Sequence, residues 1–250
     1  MRRAGRTAAE VLRLTAAEVK AGISTAEIDR RAAELIRERG CTSAFLGYRN
    51  FPGTICISLN DEVVHGIGRA SRILRDGDIV KIDVGIFQDG WVGDNALTIP
   101  VGEVPAETWR LLQAAEDSLD AAISLARHTG SLRDLCGAVE KVVTRRGFSV
   151  VRQFVGHGVG RRLHEEPQVP NWADPGIRTK LKAGMILAIE PMINAGRGKT
   201  RTLADNWTAV TIDGKASAHF EHTVLVTHGD PEILTARERL TQPLEESGGG

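Results

Sequence analysis

The feature that most constrains the fold is an internal repeat with a constant offset. Ser24 and Ser131 each precede an amphipathic helical pattern, and these patterns end at Gly40 and Gly147. The two serines are 107 residues apart, and so are the two glycines. A chain built from two such copies is expected to fold as one pseudo-two-fold unit whose copies pack against each other.

The repeat extends from the helices into the strands that follow. The segment LRDGDIVKID (residues 74–83) aligns with LKAGMILAIE (residues 181–190) at the same offset, so Asp83 falls on Glu190. A helical pattern also precedes each capping serine, over residues 6–20 and 105–128. Each copy therefore reads as helix, helix, strands, which predicts an α+β fold with the acidic strands meeting centrally.

The domain prediction follows from the repeat. We expect one catalytic domain over residues 1–228, with copies at about 1–104 and 105–228. The apolar pattern fades beyond residue 225 and the chain ends in EESGGG. We therefore expect residues 229–250 to form a partly disordered tail.

Charge and cysteine content exclude several classes of protein. Lysine plus arginine and aspartate plus glutamate both total 32 in 250 residues, so no net field favours a nucleic acid or an acidic membrane. No run of 18 apolar residues and no signal peptide is present. Three widely spaced cysteines offer neither a disulfide framework nor a Cys-x-x-Cys pair. These features favour a cytoplasmic protein.

Two aspartates interrupt apolar strands in a predicted hairpin. Asp89 and Gly90 form a strong hairpin turn signal, and a loop with an even number of residues places Asp94 opposite Gly85. Asp83 shares a strand face with Gly85, because side chains alternate with period two. Asp83 and Asp94 are then diagonal neighbours, roughly 7–8 Å apart at Cα.

The second copy supplies two glutamates in the corresponding region. Glu190 stands at a strand end before Pro191, and Glu221 is predicted to lie within a strand. The segment between these glutamates is about twenty residues longer than its counterpart in the first copy. An expanded loop beside acidic residues is typical of a substrate-side elaboration.

A set of buried acids needs compensating positive charge, which two divalent cations would provide. Five histidines stand in motif-like surroundings and are candidates for an additional ligand, and none of the candidate ligands is a cysteine. An oxygen-rich set with one imidazole favours Mn, Fe, Co or a catalytic Zn pair. The five are His65, His157, His164, His219 and His222. GHGVG lacks the context of a dinucleotide-binding loop, and no G-x-S-x-G elbow is present.

Four motifs together resemble the type I methionine aminopeptidases of the pita-bread fold. They are KIDVGIFQDGWVGDNALT, GHGVGRRLHEEP, ILAIEPMI and FEHTVLVT, and the resemblance covers about residues 2–227. It implies a central curved antiparallel sheet and a centre of two divalent metal ions. The ligands would fall on Asp83, Asp94, His157, Glu190 and Glu221.

The resemblance also implies an activity. It is removal of the initiator methionine from nascent chains with a small second residue, through attack by a metal-bridging hydroxide. His65, His164 and Glu190 would be catalytic, and the substrate pocket would contain Tyr48, Phe51, Cys56 and Trp207 together with His65 and His164. A monovalent cation on backbone oxygens near Asn60, Glu62 and Ser217 is implied as well. Leu163 departs from the aromatic residue of many relatives, which leaves substrate range open.

The expected partners are the N-termini of nascent polypeptides and Met-X peptides, with no specific nucleic acid and no membrane. We expect a monomer, and transient contact with the ribosome stays open. Two alternatives remain at this point. One is a proline-directed aminopeptidase or creatinase-like hydrolase of the same fold, and the other is a non-catalytic binding protein.

Overall fold

The helices of the computed structural model, which describes residues 1–240, follow the predicted repeat. Their bounds are α1 Arg2–Ala16, α2 Thr25–Glu38, α3 Ala106–Ile123 and α4 Leu132–Arg145. A short 3-10 helix covers Tyr48–Asn50. Both α1 and α3 end earlier than predicted, because tight turns replace their last predicted residues.

The strands are short except for two of ten residues, which form the central hairpin. In chain order they are β1 Thr42–Ser43, β2 Cys56–Leu59, β3 Glu62–Val64, β4 Ile79–Gln88, β5 Trp91–Pro100, β6 Ser149–Val150, β7 Gly156–Gly158, β8 Glu165–Val169, β9 Ile186–Ile189, β10 Met192–Asn194, β11 Thr200–Thr202, β12 Ala209–Thr211, β13 Ser217–His219, β14 His222–Leu225 and β15 Glu232–Ile233.

The internal repeat is confirmed residue by residue. Helices α2 and α4 begin and end at the predicted offset, and each starts after its capping serine. Ser24 and Glu27 form a reciprocal capping box, whereas in α4 the structure has only the bond from the Asp134 N–H to Ser131. An aspartate has one methylene less with which to reach back to the cap. Ser24 also forms an isolated bridge to Ile73, and the equivalent bridge joins Ser131 to Lys180.

The central hairpin has the predicted register. Strands β4 and β5 pair antiparallel with Gly85 opposite Asp94, which makes Asp83 and Asp94 diagonal neighbours on one face. Strand β2 pairs with the other edge of β4 and places Cys56 opposite Asp83. The first-copy acids are therefore held within a continuous antiparallel sheet.

In the second copy the ladder is interrupted where the acids lie. Strand β9 pairs with β14 and β10 pairs with β13, in a register that continues across the gap and sets Glu190 opposite Glu221. Our prediction that Glu221 lies within a strand was wrong, since the residue falls in the gap between β13 and β14. Pro191, which has no N–H, follows Glu190 at the break. The backbone N–H of Glu221 instead donates to the Ala96 carbonyl in β5, at 2.9 Å.

The sheets are arranged as four antiparallel groups and are covered by the helices. They are β1, β4, β2 and β5; β13, β10 and β6; β11, β12 and β3; and β15, β14, β9, β7 and β8. The main core is continuous between the two copies and contains, for example, Leu12, Ile82, Leu135 and Leu187. This arrangement is the predicted α+β fold, and the shared core holds the acidic strands of both copies in one place.

Part of the predicted tail packs against the domain. Leu234 and Thr235 are buried, and β15 pairs with β14. Residues 241–250 lie outside the described residues, and the domain boundary at residue 228 stays a prediction. Among the helices of residues 1–240, none combines the length and the apolar character needed to cross a membrane.

Candidate metal centre

The structure brings all eleven predicted site residues to the lining of one cavity. The cavity encloses about 160 Å³ and lies where the central hairpin meets the interrupted strands of the second copy. The predicted residues in its lining are Tyr48, Phe51, Cys56, His65, Asp83, Asp94, His157, His164, Glu190, Trp207 and Glu221. Their chemical roles stay predictions.

One end of the cavity is acidic, with Asp94, His157 and Glu221 buried and Asp83 and Glu190 partly exposed. Ligand atoms of Asp94, His157 and Glu221 lie within 4.8 Å of one another. His157 Nε2 is 3.4 Å from Glu190 Oε1 and 3.8 Å from Asp94 Oδ2. Asp83 lines the same end of the cavity and packs beside Asp94 in the hairpin. Four carboxylates and one imidazole therefore surround a common space.

The charges of these carboxylates are not balanced by protein cations. Within residues 1–240, no lysine or arginine forms an ion pair with Asp83, Asp94, Glu190 or Glu221. One buried oxygen of each of Asp83, Asp94 and Glu221 has no hydrogen-bond partner in the described part of the chain. Buried carboxylates in this state are costly, so the donor set fits divalent cations of oxygen and imidazole preference.

The pKa values follow from this burial. Burial raises the pKa of Asp83 and of Glu190 well above the usual range, and neighbouring negative charges add to the effect. Burial raises the pKa of Asp94 to about 7. Burial also lowers the pKa of His157 to about 4, which keeps the imidazole neutral. A neutral imidazole is the form that binds a metal ion.

The ring of His157 is held by a backbone contact. Its Nδ1 lies 2.9 Å from the Gly158 carbonyl, which leaves Nε2 directed at the carboxylates. A Cβ on Gly158 would stand 2.2 Å from the Glu166 carbonyl oxygen. Only glycine permits that close approach of the two backbone segments beside this histidine.

Two further histidines line the cavity without joining the three-residue ligand cluster. His164 is exposed, and its Nδ1 lies 2.9 Å from the Tyr48 hydroxyl. His65 has a φ of 60° and packs edge-on against the rings of Phe154 and Trp207. Burial lowers the pKa of His65 to about 4. Both rings therefore border the same cavity as the acidic residues.

Another wall of the cavity is apolar. Phe51 and Trp207 meet edge to face with ring centroids 5.1 Å apart, and Cys56 is buried beside them. Asp205 fixes the Trp207 loop by accepting the backbone N–H groups of Trp207 and Thr208, at 3.0 and 2.9 Å. The longer loop of the second copy thus contributes a wall of the cavity, as its length predicted.

The sequence prediction missed other residues around the cavity. Phe45 and Arg49 also line it. The sequence feature that could have indicated Phe45 is the strand glycine Gly85, because a Cβ at that position would lie 2.3 Å from the Phe45 ring. His219 was one of the five candidate histidines but lay outside the ligand set that the resemblance implies; its Nε2 is 3.6 Å from Glu190 Oε2 and has no hydrogen-bond partner among the described residues. His219 precedes Glu221 by two residues, but a break in the strand between them could not be read from periodicity.

Comparisons with known proteins agree with this geometry. A model of the metallopeptidase family M24 matches residues 1–228. Methionine aminopeptidase 1 of Bacillus subtilis is 47% identical over 235 residues, which cover 94% of each chain.

Solved structures with the same fold fall at two levels of similarity. The crystal structure of methionine aminopeptidase from Thermotoga maritima superposes with a TM-score of 0.92 at 39% identity and covers 95% of each chain. A Xaa-Pro dipeptidase from Bacillus anthracis has a TM-score of 0.76 at 19% identity, covering 96% of this chain and 60% of its own. The second likeness shows the fold alone.

Proposed function

The chain belongs to metallopeptidase family M24, and on that premise we propose that it removes the initiator methionine from nascent polypeptides whose second residue is small. The observation that carries the proposal is the meeting of four carboxylates, none of them paired with a lysine or arginine of residues 1–240, with a neutral imidazole beside an apolar pocket. An acidic metal-binding end and an apolar end are what a metallo-aminopeptidase acting on methionine needs.

We propose that the acidic end holds two divalent cations. Asp83, Asp94, His157, Glu190 and Glu221 would hold them. The charge of four carboxylates matches two such ions. When bound, the ions supply Lewis acidity toward the scissile carbonyl and lower the pKa of a water. Co, Mn, Fe and Zn all suit the donor set.

In this proposal His164 donates a hydrogen bond to the oxygen of the scissile carbonyl. If the Tyr48 hydroxyl donates to Nδ1 at the observed 2.9 Å, the proton of the neutral ring is on Nε2. Partial burial and the nearby Arg49 charge lower the pKa of His164 and favour the neutral ring. An N–H donor that is fixed before the reaction stabilises developing negative charge without reorganisation.

His65 and Glu190 complete the catalytic set of the proposal. The His65 ring is wedged between Phe154 and Trp207, so it can orient the scissile amide at the boundary of the two ends of the cavity. Glu190 lies near His157 and His219 and has a raised pKa because of burial. A carboxyl group with these properties can accept a proton and pass it to the leaving amine.

The apolar end would hold the methionine side chain. Tyr48, Phe51, Cys56 and Trp207 offer aromatic edges and a thiol, which pack favourably against a thioether. Leu163 is buried in the same lining and sets its width near His164. Substrates whose first residue fills this space, and whose second residue is small, would be preferred.

The natural partners in this proposal are the N-termini of nascent chains, and the enzyme acts as a monomer in the cytoplasm. Cys41, Cys56 and Cys136 are free, buried thiols, which fits a reducing compartment. Short Met-X peptides would serve as substrates in solution, because the determinants lie at the first two residues.

The test is peptide hydrolysis by the purified protein loaded with Co or Mn. Methionine should be released from Met-Ala-Ser but not from Met-Lys-Ser. No release with Co, Mn, Fe or Zn would contradict the proposal. Faster cleavage of X-Pro peptides than of Met-Ala-Ser would favour a proline-directed peptidase instead. Absence of bound divalent metal, with stability unchanged by a chelator, would favour a non-catalytic protein.

A further inference from the structure

A lysine ammonium is buried at the junction of the two copies. Lys81 is 1% exposed, and its Nζ donates hydrogen bonds to the carbonyl oxygens of Asn60 and Ser217, both at 2.8 Å. Asn60 belongs to the first copy and Ser217 to the second. A lysine is rarely buried to this extent unless it is paired, so these two carbonyls are a built binding site for a cation.

The carbonyl oxygens are held independently of the lysine. Asn60 has a φ of 49°, its N–H donates to the Ile79 carbonyl, and its side-chain oxygen accepts the Ile79 N–H. The Ser217 N–H donates to the Asn60 carbonyl at 2.9 Å, and the Ser217 hydroxyl donates to Ile193. Backbone oxygens that converge on one point form a hard-donor site of the kind that cations occupy.

Charge around the site also suits a cation. Glu62 is buried two residues after Asn60 and forms an ion pair with Arg72. Burial lowers the pKa of Lys81 to about 7, and the negative charges of Glu62 and Asp61 offset part of this lowering. The two carbonyl acceptors and the nearby acidic residues therefore offset part of the cost of burying a positive charge at this point.

This arrangement does not fit the monovalent cation that the family resemblance implies. That ion would need the backbone oxygens near Asn60, Glu62 and Ser217, and the Lys81 ammonium already contacts two of them. An ion and an ammonium group cannot share the same carbonyl oxygens without severe repulsion.

We propose that Lys81 is a tethered cation that takes the place of a bound sodium or potassium ion between the two copies. Lys81 precedes Asp83 by two residues on the same face of β4. Ser217 begins β13, the strand that leads to Glu221. The ammonium group therefore links β4, which carries Asp83, to β13, which leads to Glu221. It is a positioning group rather than a catalytic one.

The proposal predicts that the protein is indifferent to monovalent metal ions. The melting temperature of the unmodified protein, with divalent metal held constant, should be the same in potassium, sodium and choline chloride at equal ionic strength. Stabilisation by potassium or sodium relative to choline would overturn the proposal. This readout does not require catalysis, so it stands apart from the test of peptidase activity.

Substitution should restore dependence on an ion. Lys81→Ser should melt at a lower temperature in choline chloride and recover in potassium or sodium chloride, because the carbonyl oxygens become available. Lys81→Met fills the space without charge, and it should be destabilised equally in all three salts. Lys180→Ser, which changes an exposed lysine, is the matched control and should behave like the unmodified protein. A folded Lys81→Ser protein with equal stability in potassium and choline would overturn the proposal.

A crystallographic measurement keeps the proposal testable if the variants do not fold. Crystals of the unmodified protein soaked in a thallium(I) salt should show no anomalous peak between the Asn60 and Ser217 carbonyl oxygens. A peak at that position would overturn the proposal. Where Lys81→Ser crystals are obtained, the peak should be present there and absent from the unmodified protein.

Discussion

The Tyr48 hydroxyl and His164 Nδ1 lie 2.9 Å apart, and their rings stack with centroids 5.2 Å apart. A hydroxyl that donates to Nδ1 fixes the ring proton on Nε2, and the stacking holds the ring in its orientation. Tyr48 comes from the 3-10 helix after β1, whereas His164 precedes β8, so the pair joins the two copies across the cavity.

Removing the hydroxyl should therefore affect turnover. Tyr48→Phe keeps the ring stacking but loses one hydrogen bond, worth about 1 kcal/mol, so kcat should fall roughly fivefold. His164→Ala removes the proposed donor itself and should lower kcat by about 10²–10³. Steady-state kinetics on Met-Ala-Ser measures both, with metal content as the control, which should be unchanged. Full activity in His164→Ala would refute the role given to this residue.

The acidic ligands should control metal binding and stability together. Divalent metal at about 100 times its dissociation constant should stabilise the unmodified protein by about 2.7 kcal/mol, a rise of roughly 5–10 °C in melting temperature. Asp94→Asn and Glu221→Gln should lose this rise and the activity with it. Asp230→Asn, in which the original side chain is 86% exposed, should keep both.

In the absence of metal, Asp94→Asn should stabilise the folded protein. Burial raises the pKa of Asp94 to about 7, so above that pH the folded chain must bury a charge. Because the folded-state pKa of Asp94 lies above the unfolded value, its protonated carboxyl group contributes stability at low pH. That contribution is lost as the pH rises from about 4 to about 7. Metal-free Asp94→Asn should therefore be more stable at pH 8 than the metal-free unmodified protein, as measured by urea denaturation. Equal or lower stability would contradict this account.

The degree to which the site was predictable differs between its parts. Period-two alternation and a turn signal were enough to place Asp83 and Asp94, because both lie in one regular hairpin. The repeat then indicated Glu190. Lys81 could not be predicted as a partner of Ser217, because that contact joins residues 136 positions apart through the packing of two copies. Local patterns predict elements, whereas contacts between copies depend on the whole fold.

The buried histidine of β14, His222, predicts that the folded protein loses stability in acid. His222 Nδ1 lies 3.0 Å from the Thr235 hydroxyl, and burial, together with the Arg237 charge, lowers the pKa of the ring to about 3. A lowered folded-state pKa for a base means that the stability is present above the unfolded value of about 6.5 and is lost as the pH falls toward 3.

Comparison with His222→Gln isolates this contribution, since all other groups are common to both proteins. The stability difference between the unmodified protein and the variant should fall by about 1.6 kcal/mol between pH 6.5 and pH 5. Urea denaturation across this range measures it. A difference that does not change with pH would show that the ring does not titrate as stated.

Gly66, the residue after His65, should tolerate no side chain. A Cβ on Gly66 would lie 2.1 Å from the Ile57 carbonyl oxygen, and the Gly66 N–H and carbonyl both form hydrogen bonds to β2. Gly66→Ala must therefore displace the loop and shift the His65 ring between Phe154 and Trp207.

We expect Gly66→Ala to cost about 1–3 kcal/mol, as overpacking does, and to lower kcat for Met-Ala-Ser while divalent metal binding is retained. Thermal melting, metal analysis and kinetics measure these three effects. Gly229→Ala is the matched control, since nothing lies within 4 Å of a Cβ at that position. If Gly66→Ala kept full turnover, the orientation of His65 by this loop would not contribute to catalysis.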